Sequence, residues 1–219
     1  METLPPATPL DSKWYQIWMD IWFHPGDQAF RDAFKERDHG VGRAFIWLAT
    51  TGLLTAVISS VMIPFFRSQF TYIPNSFIVV FICQIILAPI FAILGMVVSS
   101  LIYHVVAMIF RGKGQWGDLV FGLSAVNAPA TVIGSLLAIP VVLFSRFTLL
   151  WWLVALLVGV VSVVVGVYVI IETVNAIRAA ENLGVGGAIG TILVPIAVGV
   201  VLSVCCTLLL IPAFINTSR

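Results

Sequence analysis

Apolar positions fall along the chain in five long runs separated by short polar breaks: Ala44 to Phe66, Phe77 to Phe110, Leu119 to Phe144, Leu149 to Ile171 and Gly186 to Pro212. Each reaches the ~20 residues that a helix needs to cross a hydrocarbon core about 30 Å thick. Backbone in hydrocarbon must satisfy its own hydrogen bonds, so apolar runs of this length predict helices. The second run, 34 residues, would measure roughly 51 Å as a straight helix and must tilt, kink or protrude. Pro89 lacks an N–H and crowds the preceding turn, which predicts a bend near Leu87 to Ile90. The pattern therefore predicts an all-α integral membrane fold, a five-helix transmembrane bundle spanning residues 44–212 with a short tail at 213–219.

A different periodicity precedes the first run. Residues 1–12 hold three prolines and no repeat, which predicts disorder. From there Trp14, Ile17, Trp18, Ile21 and Trp22 recur at three- and four-residue spacing, on one face of a helix that Pro25 and Gly26 end. Asp27 is placed to cap a second helix, in which Phe30, Ala33 and Phe34 form an apolar stripe. Residues 13–43 thus read as an N-terminal amphipathic interfacial helical segment, with Trp14, Trp18 and Trp22 as anchors. It serves either as a membrane-surface or partner-docking module, or as two helices packed on the ends of the bundle.

Composition agrees with the pattern: 60% of residues are hydrophobic, 10% charged, and the mean hydropathy is +1.09. That is too little charge to coat a water-soluble surface, and a net charge of +1 leaves no basic face for nucleic acid. Cys83, Cys205 and Cys206 lie in apolar runs without metal-ligand spacing. The position of the charges is more informative. Lys13, Arg31, Lys35, Arg37, Arg43, Arg111, Lys113 and Arg178 fall on one predicted face, against Arg67, Arg146 and Arg219 on the other. Eight against three predicts a cytoplasmic N-terminus and an external or lumenal C-terminus. The first span is expected to act as an uncleaved signal-anchor, since residues 1–43 lack a cleavable apolar core. Trp151 and Trp152 open the fourth span as interfacial anchors on the other side.

Polar side chains inside the runs are the default candidates for function, because they are costly in hydrocarbon. Tyr103 and His104 near the end of the second span, Asn127 in the third, and Glu172 and Asn175 past the end of the fourth all fall in the cytoplasmic half. They form a candidate intramembrane polar cluster in which His104 pairs with Glu172, or each uses an asparagine. The alternative is plain interhelical hydrogen bonding. Gly186 with Gly190, Gly95 with Ser99, and Gly159 with Gly166 mark close helix packing and a route to self-association. The chain contains no HExxH, GxSxG or phosphate-binding loop, and its histidines, His24, His39 and His104, are dispersed. No catalytic residue, metal or cofactor is expected, and the chain is not read as an enzyme.

The chain resembles a Yip1-domain membrane protein over residues 14–212. The resemblance rests on the lead-in Trp18, Ile21, His24 and Pro25, and on the stretch from His104 to Pro140. In that stretch a histidine-bearing helix end precedes the turn Arg111-Gly112-Lys113-Gly114 and an alanine-rich segment closing on Pro129. Pro25, Gly112, Gly114 and Pro129 are the family-pattern structural residues. The resemblance implies five spans with a cytoplasmic N-terminus. Eukaryotic members are associated with Rab GTPases and vesicle trafficking and assemble with one another. Their DLYGP sequence is absent before the first span here, which favours a compact prokaryotic-type member in a cell membrane. The expected function is a non-enzymatic scaffold or adaptor in membrane organisation or trafficking, with membrane lipid and membrane-protein partners. The alternative is a small transporter, channel or permease subunit that uses the polar cluster.

Overall fold

The computed structural model describes residues 14–35, 40–66, 77–145 and 147–217. The expectation of disorder at 1–12 lies outside these residues, as do Arg67, Arg146 and Arg219 and the side chains of Trp14, Cys205 and Cys206. Seven helices follow one another among them: α1 (Trp14–Phe23), α2 (Asp27–Ala33), α3 (Val41–Phe66), α4 (Phe77–Ile109), α5 (Trp116–Leu143), α6 (Thr148–Glu181) and α7 (Val185–Thr217). Four contain stretches long and apolar enough to cross a membrane: Val41–Met62, Ile78–Ile109, Trp116–Leu143 and Thr148–Glu181. The described part of α7 adds a shorter apolar stretch, Val185–Val201. The protein is an all-helical, multi-pass integral membrane protein.

The apolar runs and the helices differ at their ends. α4 is unbroken through Pro89, and α5 through both Pro129 and Pro140. α6 continues ten residues beyond Ile171, to Glu181, and α7 runs on to Thr217. Of the polar residues that follow the fourth apolar run, Glu172, Asn175 and Glu181 are buried in protein. Helix geometry therefore persists where hydropathy falls.

α5 is the central helix, in contact with α1, α3, α4 and α6, and α7 packs on α4 and α6. Burial along α5 and α6 is uneven. Residues 119–126 of α5 are buried without interruption, and Glu172, Ala176, Ile177, Ala179, Ala180 and Glu181 of α6 are buried as well. In the other half of α6, Leu156 is 70% and Val163 67% exposed. The core thus occupies one end of the bundle, where α3, α5 and α7 begin and α4 and α6 finish.

The helical hairpin α1–α2 closes that end. Ile17, Ile21, Phe30 and Ala33 are buried in the same core as Trp47, Phe121 and Ala176. Fully burying a side chain the size of Ile21 or Phe30 contributes about 2 kcal/mol. The turn between the helices needs Gly26, whose φ of 156° and ψ of 162° fall in a region open only to glycine. Gly26 also takes the N-cap position expected for Asp27, which is instead the first residue of α2. Asp27 makes no capping bond because its carboxylate faces two arginines, Arg31 at 3.5 Å and Arg178 at 3.6 Å.

Candidate functional site

The predicted cluster resolves into two groups at the hairpin end. The first is built around a residue outside the predicted set, Glu181, the last residue of α6. Glu181 is fully buried, and its Oε1 lies 2.6 Å from Nδ1 of His104 on α4. With Glu181 as a carboxylate, its oxygen accepts and Nδ1 carries the hydrogen. Its Oε2 accepts from the Gly114 N–H at 3.2 Å, and its backbone carbonyl accepts from the Lys113 N–H at 3.0 Å. One glutamate therefore joins the end of α4, the turn into α5 and the end of α6. His104 is not the partner of Glu172.

The glycines of the turn are steric requirements. A Cβ on Gly114 would lie 1.9 Å from the Ala180 carbonyl oxygen, and one on Gly112 would lie 3.0 Å from Glu181 Oε2. The end of α4 closes with Gly112 N–H donating to Ala107 and Arg111 N–H donating to Met108, and Arg111 takes the left-handed position at φ 68°. Helices that end this way usually place glycine there, since another L-residue costs roughly 1–2 kcal/mol. α6 ends similarly at Asn182, φ 55°, but asparagine tolerates this conformation. Asn182 Oδ1 also accepts from Arg31 Nη1 at 3.0 Å.

The second group runs along α6 beneath the hairpin. Glu172 Oε1 accepts from Asn175 Nδ2 at 3.5 Å, and Asn175 Oδ1 accepts from Arg178 Nη1 at 3.4 Å. Arg178 also reaches Asp27 of α2. One turn earlier, Tyr168 donates to the Trp22 carbonyl at 2.6 Å, and the two rings lie 5.4 Å apart. Glu172 Oε2, Ser124 Oγ and Trp22 Nε1 are buried without a hydrogen-bond partner among the described residues. Glu172 is thus a buried carboxylate half satisfied, in contrast to Glu181. On the exposed face of α2, hydrogen bonds from Lys35 and then Gln28 hold the Asp32 carboxyl below its ordinary pKa.

The remaining predicted residues make other contacts. Asn127 Nδ2 donates within its own helix to Leu123, 2.8 Å away, and Tyr103 is half-buried against the core. Trp18 and Trp22 turn inward, Trp18 meeting Trp47 edge-on at 5.5 Å. Trp151 and Trp152 contact each other edge-on at 4.7 Å at the opposite end of the bundle. Pro25 lies in the α1–α2 turn. Among the described residues no group of histidine, cysteine and acidic side chains is placed to hold a metal.

The arrangement, a histidine at one helix end tied to a glycine-rich turn and capped by a tryptophan-bearing lead-in, falls inside a family match. The model of the Yip1 domain matches residues 19–206. The chain belongs to the Yip1-domain family. The matched region takes in α1 from Met19, all of α2 to α6 and much of α7, so the junction around Glu181 is part of the Yip1 domain itself. Yip1-domain proteins are in general non-enzymatic and are linked to membrane trafficking. No curated protein and no solved structure matches the chain significantly.

Proposed function

We propose that this Yip1-domain protein is a compact, prokaryotic-type scaffold or adaptor of five spans, with its hairpin end in the cytoplasm, that organises lipid or membrane-protein partners without catalysing a reaction. The observation that carries this reading is the use made of the buried polar groups. His104, Glu181 and Gly114 are tied to one another, and Arg178 and Asp27 fasten the hairpin to α6. These contacts fix a shape and leave the exposed faces for partners.

A transport reading needs a polar path through the other half as well. There the groove of about 340 Å³ between α5 and α6, lined by Gly134, Leu137, Ala138, Val141, Val142, Val158 and Ser162, is apolar but for one serine. The polar pairs there, Ser60 with Gln84 and Ser135 with Thr55, are separate interhelical bonds at 3.2 and 3.3 Å. The eight-to-three distribution of basic residues supports the orientation. Crosslinking and pull-down from native membranes is expected to recover a defined set of membrane proteins. Specific solute flux into liposomes holding the purified protein, abolished by His104→Ala, would replace the scaffold reading with transport.

A further inference from the structure

The geometry points to a headgroup site for an anionic phospholipid on the turn between α4 and α5, with Arg111 and Lys113 holding the phosphate. The inference rests on the multi-span reading and holds whether the protein scaffolds or transports. Three observations carry it. Both side chains are exposed and, among the described residues, no acid pairs with either. The acid at the turn, Glu181, is fully buried and directs its carboxylate to His104 and the Gly114 N–H, pairing with neither basic side chain.

The second observation is conformational. Arg111 occupies the left-handed position that ends α4, where glycine is favoured, and among the described residues no side-chain bond holds it as Arg31 holds Asn182. A strained residue held in place by its surroundings is a sign of function. The backbone N–H groups of residues 111–114 are all consumed, by Met108, Ala107 and the carbonyl and carboxylate of Glu181. The turn therefore offers an anion only its two cationic side chains, and Glu181 holds their backbone rigid.

The third observation selects a lipid over free phosphate. Leu94, Val98, Leu101, Val105, Met108 and Ile109 are exposed at helical spacing on α4, with Ile109 at 72% and two residues before Arg111. An acyl chain along these side chains places its phosphate at the turn. Anionic headgroups gain from each basic residue near the surface, and removal of one corresponds to about a fivefold loss of affinity.

Native mass spectrometry of the purified full chain, offered equal amounts of phosphatidylglycerol and phosphatidylcholine, tests the site. Preferential retention of phosphatidylglycerol is expected, with Arg111→Lys keeping it and Arg111→Gly lowering it about fivefold. Arg111→Gly combined with Lys113→Gln should lower it about thirtyfold. Because glycine relieves the left-handed strain, Arg111→Gly should also unfold at a higher temperature in phosphatidylcholine micelles or discs. Loss of lipid preference with gain of stability separates a binding role from a structural one. Equal retention of the two lipids by the wild type, unchanged retention in the double variant, or loss of lipid and stability together in Arg111→Gly overturns the proposal. Displacement of phosphatidylglycerol by equimolar inorganic phosphate identifies a free-phosphate site and overturns the lipid assignment.

Discussion

At the hairpin end, helices meet through buried alanines, aromatic rings and charged hydrogen bonds; in the opposite half, the same α6 presents Leu156 and Val163 outward. Lipid is as apolar as leucine, so the outer half gains little from burying such side chains and has few polar contacts, such as Ser60 with Gln84, to specify how the helices pair. Specificity is concentrated where polar groups have one arrangement that satisfies them. Glu181 is the clearest case, since its three acceptor contacts come from α4 and the following turn, both distant in sequence. The two ends therefore differ in what a substitution does: one side chain at the junction acts on several helices, and an outward-facing one such as Val163 acts on its own surface.

Substitutions can break or sharpen that contrast, read as thermal unfolding of the detergent-purified protein by circular dichroism. Gly114→Ala should be the most damaging, since its Cβ meets a backbone carbonyl at 1.9 Å, and a loss of ~4 kcal/mol or more is expected. A Gly114→Ala protein as stable as the wild type would mean that the turn is not held against α6. Glu181→Ala leaves the His104 and Gly114 donors unpaired in a buried site and should cost about 3 kcal/mol.

The other buried glutamate should behave oppositely. Glu172 has an unsatisfied oxygen, so Glu172→Gln replaces a half-satisfied buried carboxyl with a neutral amide while keeping an acceptor for Asn175. Stability should rise by about 1 kcal/mol; a loss comparable to that of Glu181→Ala would show that Glu172 has a charged partner in the membrane. Val163→Ala, in the exposed outer half, should shift stability by less than about 0.5 kcal/mol. A larger shift would reveal that this face of α6 is covered in the membrane.

These contrasts also explain what could be read from residues alone. The apolar runs were legible because hydrocarbon imposes length and hydropathy directly on each spanning helix. The amphipathic stripes of α1 and α2 were legible too, because Ile17, Ile21, Phe30 and Ala33 do face a core. Glu181 was missed for a physical reason: polar residues at the end of an apolar run look alike whether they meet water or the interior of a protein. A signal existed in Ala179-Ala180-Glu181, whose small residues admit the glycine-rich turn against α6. Which acid His104 would take was not legible, because that depends on how far α6 extends beyond its apolar part. The capping role of Asp27 failed similarly, since Arg178 is remote in sequence but adjacent in space.

The separation between His104 and Glu181, 77 residues along the chain, has a consequence for biogenesis. During synthesis α4, the turn and α5 emerge before the carboxylate that ties them together exists. Until the end of α6 arrives, His104 and the Gly114 amide must rely on water or lipid headgroups, which keeps this end of the nascent protein hydrated and loosely assembled. The junction can close only after α6 is made, so the hairpin made first finds its full seat only after most of the membrane helices have been produced.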